Sequence, residues 1–266
     1  MRLILSIAVV LFPLALWAQT PVVTSFNPTS AGSGTTITLM GTDFTSATDV
    51  SFGGVPAASF IVLDDFTITA VVDNGASGDV SVTTAGGTGL LAGFTFIPAP
   101  TIISFLPTSA ASGATVTITG TDFTDATAVS FGGTAATSFI VVNATTITAV
   151  VATGSSGNIT VTTPGGTAIL GGFIYDNVAP TVVVSSTATD PTNVSPIPVT
   201  ITFSESVTGF ALGDITVTNG TAGAFAGSGT TYTANITPSA AGPVTVSVAA
   251  NVAADAANNT NTSSNL

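Results

Sequence analysis

The sequence predicts an all-β chain of tandem β-sandwiches, and three observations carry that prediction. Residues 21 to 98 return without a gap as residues 100 to 177. Within each copy, threonine and aliphatic residues alternate at period two, as in Thr35-Thr36-Ile37-Thr38-Leu39-Met40 and Ala114-Thr115-Val116-Thr117-Ile118-Thr119. That period belongs to half-buried strands, and glycine-rich turns break the runs at the spacing of roughly 8 to 12 residues expected of sandwiches and barrels. No segment sustains a helical period.

The first element to justify is the N-terminal segment, residues 1 to 18. Met1-Arg2 precedes an apolar stretch from Leu3 to Trp17, interrupted only by Ser6 and Pro13, which ends at Ala18. One positive charge before an apolar run shorter than the roughly 18 residues of a spanning helix reads as a signal peptide, with an uncleaved anchor as the alternative. No cysteine follows the run, so attachment through a lipid-modified cysteine is chemically closed. The expected destination is secretion or the cell surface, with no membrane insertion after cleavage.

The next two elements are the copies, 19 to 98 and 99 to 177. Asn27-Pro28-Thr29-Ser30 recurs as Leu106-Pro107-Thr108-Ser109, Gly41-Thr42-Asp43-Phe44 as Gly120-Thr121-Asp122-Phe123, and Ser51-Phe52-Gly53-Gly54 as Ser130-Phe131-Gly132-Gly133. A correspondence this long marks a duplicated domain rather than a short repeated motif. Pro28 and Pro107 set a bend after the first strand, and the Gly-Gly pairs supply the positive backbone angles of a tight turn. Phe26, Phe44, Phe52, Phe60 and Phe94 hold the same places as Phe105, Phe123, Phe131, Phe139 and Phe173. Equivalent aromatic positions on alternating strands are expected to fill the two cores rather than bind ligand. The last element, 178 to 266, begins near Ala179-Pro180 and follows another pattern.

Both copies resemble the IPT/TIG domain, through Pro21-Val22-Val23-Thr24-Ser25-Phe26-Asn27-Pro28 with Gly41-Thr42-Asp43-Phe44, and through Pro100-Thr101-Ile102-Ile103-Ser104-Phe105-Leu106-Pro107 with Gly120-Thr121-Asp122-Phe123. The resemblance implies an immunoglobulin-like fold shared with plexins, some transcription factors and bacterial surface proteins. It implies no single function. The third segment is similar to bacterial Ig-like domains of secreted adhesins, through Val199-Thr200-Ile201-Thr202-Phe203-Ser204-Glu205, Gly213-Asp214-Ile215-Thr216-Val217-Thr218-Asn219-Gly220, Val244-Thr245-Val246-Ser247-Val248-Ala249 and Asp255-Ala256-Ala257-Asn258-Asn259. In that family such a tail closes one domain before the next begins, so a chain stopping at Leu266 suggests a truncated record or a short array.

Composition then narrows the chemistry. The net charge is −12, the only basic side chain is that of Arg2, and histidine and cysteine are absent from the sequence. Nucleic acid and anionic membrane surfaces are therefore excluded as partners, because lysine and arginine supply that affinity. Salt bridges, thiolate nucleophiles and histidine or cysteine metal ligands are excluded with them. With 45% hydrophobic and 5% charged residues, the chain can bury cores and is unlike a disordered acidic tail.

Carboxylates are the remaining candidates for chemistry. Asp64-Asp65 is the closest pair, but neighbours on an extended strand face opposite ways, and its counterpart begins at Asn143. Asp43 and Asp122 are read as turn residues whose side-chain oxygens cap the backbone before a phenylalanine. No catalytic, cofactor-binding or metal residue is assigned, and an enzyme is not expected. Calcium stays open at Asp176-Asn177, Asp190, Asn193, Asp214 and Asp255, since hard oxygen ligands stiffen some tandem sandwiches; solvated turn aspartates are the competing reading. Asn143, Asn158, Asn219 and Asn235 fit the glycosylation pattern, which threonine-rich and asparagine-rich sequence meets by chance.

The expected function is a non-catalytic secreted or cell-surface structural and adhesion module, a rigid spacer or contact array whose partner is an extracellular protein or glycan. Pro98-Ala99-Pro100 and Asn177-Val178-Ala179-Pro180 are short linkers stiffened by proline, which favours an extended arrangement. The alternatives are a carbohydrate-binding surface module, for which Tyr175 or Tyr232 would have to supply the stacking platform, and an accessory fragment of a larger exported enzyme. A chain without ion pairs has none for salt to screen, only repulsion. Added sodium chloride is accordingly expected to leave the melting temperature unchanged or raise it, and a clear fall would contradict the reading.

Overall fold

The structure is a computed structural model that describes residues 19–264. The proposed signal peptide, residues 1 to 18, lies outside the described residues. No α-helix occurs among them, and apart from one short 3-10 turn the regular structure is strand, in immunoglobulin-like sandwiches. It packs as two compact units, the first comprising residues up to Ala99 together with Pro164–Gly166 and the second Pro100–Thr163 together with the residues from Thr167.

In the first unit, period-two alternation becomes nine strands: β1 (Val22–Asn27), β2 (Ser30–Ala31), β3 (Thr36–Thr42), β4 (Asp49–Phe52), β5 (Val55–Pro56), β6 (Ser59–Val62), β7 (Thr67–Val71), β8 (Gly78–Thr84) and β9 (Gly87–Phe96). One sheet runs β1-β3-β7-β6 and the other β2-β9-β8-β4-β5. Ile37, Leu39, Ile68 and Ala70 point inward, where they meet Val50, Phe52, Val80 and Phe94 of the facing sheet. The outer face of the first sheet carries Thr36, Thr38, Thr67 and Thr69 instead. None of its four strands contains a charged residue.

The second unit opens with the same nine strands: β10 (Thr101–Leu106), β11 (Ser109–Ala110), β12 (Thr115–Thr121), β13 (Ala128–Phe131), β14 (Thr134–Ala135), β15 (Ser138–Asn143), β16 (Thr146–Val150), β17 (Gly157–Thr163) and β18 (Gly166–Tyr175). Their sheet orders, β10-β12-β16-β15 and β11-β18-β17-β13-β14, repeat those of the first copy strand for strand.

The duplicated motifs have local physical causes. A Cβ on Gly41 would lie 2.0 Å from the Val22 carbonyl oxygen and 2.4 Å from the Phe44 ring, so only glycine lets strand and ring close on each other. Gly120 is in the same position against Thr101 and Phe123. Asp43 and Asp122 follow with φ of 61° and 58°, which turns the buried phenylalanine back over that glycine. Here the expected role shifts: their carboxylates accept from Thr42 Oγ1 at 3.0 Å and Thr121 Oγ1 at 2.9 Å, and no backbone cap is formed. The oxygen that caps this turn is Asp65 Oδ1, which accepts from the amide and hydroxyl of Thr45. The Gly-Gly pairs have φ of 59° and 82° in the first copy and 55° and 82° in the second, as their tight hairpins require. Pro28 and Pro107 both follow cis peptide bonds.

Within the same unit a second core belongs to β19 (Val182–Ser186), β20 (Ile197–Val207), β21 (Ile215–Thr218), β22 (Gly220–Pro238) and β23 (Thr245–Val248), paired as β19-β20-β22 and β21-β23. Phe203, Phe210, Phe225 and Tyr232 form its aromatic centre, with centroids 5.0–5.9 Å apart. Buried Asn261 locks the last segment to this body, accepting from the amides of Val252 and Ala253 and donating to the carbonyls of Ala249 and Thr262.

The phenylalanines predicted from the repeat do fill the cores, Phe60 and Phe139 being half-buried at the margin and the other eight buried. Phe131 packs on Phe173 at 4.9 Å, as Phe52 does on Phe94 at 5.0 Å. Truncation removes transfer energy and leaves a cavity. Phe131→Ala is therefore expected to cost roughly 3–5 kcal/mol, seen as a lower urea midpoint; a loss within about 0.5 kcal/mol, the size of an inert surface change, would show the ring to be peripheral.

Candidate metal centre

Alternation on β20 places Val199, Ile201, Phe203 and Val207 inward, and Glu205 falls in the same phase. A carboxylate thus takes a core position near the end of the strand, where the ladder with β22 shifts register between Thr202 and Val207. Two more acids meet it. Asp255 is 6% exposed and organises its own loop: Oδ1 accepts from the amides of Ala257 at 2.7 Å and Asn259 at 2.9 Å, and Oδ2 accepts from Asn259 Nδ2 at 2.9 Å. Asp176 directly follows β18, and its Oδ1 accepts from the Val178 amide at 3.0 Å. Asn259 Nδ2 also donates to the Asp176 carbonyl at 3.1 Å, tying the two loops together.

One carboxylate oxygen from each of Asp176, Glu205 and Asp255 lies within 4.8 Å of the others. Burial pushes the Glu205 carboxyl above its usual range, and the charges of Asp255 and then Asp176 push the same way. The described residues include no lysine, arginine or histidine, so a proton or a metal ion is what can relieve this crowding. Hard oxygen donors are the kind calcium takes, at 2.3–2.6 Å, and two oxygens on one such ion stand at most about 5 Å apart. The spacing is compatible with a shared ion.

Of the residues singled out from sequence, the structure brings together Asp176 and Asp255. Asn177 is exposed beside them. Asp214 instead accepts from the Ala211 amide at 2.8 Å, at a short 3-10 turn. Asp190 and Asn193 line a separate open cleft of about 660 Å³ with Pro238 and Gly242. Asp64 and Asp65 are engaged apart, by the Phe66 amide and by Thr45. Tyr232, 5% exposed, donates to the Val207 carbonyl, and half-buried Tyr175 packs against the core of the second copy, so neither ring is a free platform. Glu205 was missed by sequence reasoning, although its in-phase place among Val199, Ile201 and Phe203 was the signal.

Because the folded-state pKa of Glu205 is raised, its contribution favours folding below the ordinary glutamate value of 4.5 and is lost as pH rises through the higher folded value. Glu205→Gln is expected to raise the melting temperature at neutral pH in chelator and to flatten the pH dependence between those two values. An unchanged or lower melt would show that the cluster is not crowded. Parallel melts in millimolar calcium separate the two forms of relief: a gain confined to the wild type indicates an ion, and superimposable curves indicate a proton.

Comparison with known proteins places these observations. The IPT/TIG domain family matches residues 21–96 and 100–175, and a bacterial Ig-like domain family matches residues 176–266. No curated protein matches the sequence. Among solved structures, one described as a crystal structure with xylogluco-oligosaccharide aligns at 19% identity and a TM-score of 0.37, over 91% of this chain and 58% of that one. SGBP-B from a complex xyloglucan utilization locus in Bacteroides uniformis aligns at 20% and 0.30, over 71% and 63%. The I9-I11 tandem of titin aligns at 9% and 0.30, over 88% and 92%. The chain thus spans 58% and 63% of the length of the first two. With more than half of its residues in the two matched segments, the chain belongs to the IPT/TIG domain family, as two such domains followed by a bacterial Ig-like domain.

Proposed function

We propose that this chain is a non-catalytic structural and contact module of the extracellular space, its three domains acting in tandem as a spacer that presents surfaces to other proteins. The observation that carries the reading is that three hydrophobic cores close separately, each within one of the three matched segments. Chemistry supports it from the other side. Glycoside hydrolysis needs two free carboxyls facing a sugar, about 5 Å or more apart. The acids that do converge include Asp255, which is buried with both oxygens engaged by its own loop. The apolar N-terminal segment behind Arg2 supports export. Among the described residues, no helix is long and apolar enough to cross a membrane.

Pulling the mature chain from its ends is expected to give three unfolding events, each releasing roughly 25–30 nm at about 3.3–3.6 Å per residue. A single event would overturn independent domains. On a glycan array the purified chain is expected to capture nothing; reproducible capture would replace this reading with the carbohydrate-binding one.

A further inference from the structure

The duplicated copies are controls for one another, because each shows what the other's fold does without. Both build the same β6–β7 or β15–β16 turn. Asp64 Oδ1 accepts from the Phe66 amide at 2.8 Å, and Asn143 Oδ1 from the Thr145 amide at 2.8 Å. The Gly41 amide donates to the Phe66 carbonyl at 2.9 Å, and the Gly120 amide to that of Thr145 at 3.0 Å. The side chains differ. Met40, Leu63, Asp65 and Phe66 in the first copy stand where the second has Thr119, Val142, Ala144 and Thr145. Folding of the turn therefore needs neither the thioether, the ring nor the Asp65 carboxylate.

Phe66 and Asp65 are particular to the first copy, the exposed apolar places of Ile61 and Leu63 recur as Ile140 and Val142, and Met40 stands across β7 from them. Met40 faces outward across β3, Ile61 follows two residues before Leu63 on the edge side, and Phe66 closes the turn. Their exposures are 44%, 64%, 60% and 56%. A cluster of exposed apolar side chains is costly to keep in water and marks a contact surface. Asp43, Asp64 and Asp65 occupy the two adjoining loops, and the hydroxyl and then the amide of Thr45 hold the Asp65 carboxyl below its usual range. β6 ends its sheet, pairing only with β7, so its outer side is open to another strand.

We infer that this edge docks an extended, basic and amphipathic polypeptide segment along β6, its apolar side chains covering Ile61, Leu63 and Phe66 while lysine or arginine meets the three aspartates. The inference rests on the contact-module reading and names the partner's chemistry. Charge decides the occupant: a second copy would bring more carboxylates, whereas a cationic segment supplies the sign this chain lacks from Leu3 onward.

The test uses a short end-capped peptide alternating lysine with valine, titrated against the full mature chain by calorimetry at low and moderate salt. Its glutamate–valine analogue is the control. The variant Leu63→Val, Asp65→Ala, Phe66→Thr carries residues that the second copy already folds with. The expected result is saturable binding of the lysine peptide, weakened at least about ten-fold by the variant and by salt, with none by the analogue. No binding, or equal binding to the variant, overturns the assignment. A wild-type dimer in sedimentation that the variant converts to monomer overturns it as well, by making a second copy the occupant. Three-event unfolding alongside any of these failures would leave the contact-module reading standing and remove only this site.

Discussion

No side chain after Arg2 can carry a positive charge, and the handling of every acid in the structure follows from that. Where other proteins neutralise a carboxylate with arginine, this one offers backbone amides and hydroxyls. Asp64 accepts from the Phe66 amide, Asp73 from that of Asn74, Asp176 from that of Val178 and Asp214 from that of Ala211. An exposed ion pair contributes only about 0–1 kcal/mol, so little is lost where amides take its place. The substitution is no handicap, and it fixes where acids can stand. They gather at turns and strand ends, where amides lack ladder partners, and leave the β1-β3-β7-β6 sheet and its duplicate without charge.

The place where this solution runs short is the meeting of Asp176, Glu205 and Asp255. Asp255 takes its loop's amides and Asp176 takes that of Val178. Glu205 arrives where the ladder with β22 breaks register, burial and its neighbours' charges act on it most, and its carboxyl is raised where Asp65, with Thr45 to hold it, is lowered. Two carboxylates in one chain move in opposite directions for want or supply of a donor.

Much of this was legible in the sequence. A gapless duplication with phenylalanine at matching places determined sheets and cores together, because a period-two strand leaves a large ring one face to occupy. Asp176 and Asp255 stood only as separate members of a longer set of loop acids, since loop residues far apart in sequence are brought together by docking rather than by any local period. Glu205 escaped because strand patterns are read for what is apolar, and a polar residue in the inward phase passes for a strand end. Asp43 and Asp122 were correctly placed in turns, but their work is done by a left-handed backbone, which composition does not display. Tyr232 could be a platform or a core residue until Phe203, Phe210 and Phe225 surrounded it.

The threonine rows on the outer faces of β3, β7, β12 and β16 have a consequence of their own. Each row sets a hydroxyl and a methyl side by side at the repeat of the strand, with no ionisable group among them. Nothing on such a face gains or loses a proton, so its charge stays at zero from acid to alkali.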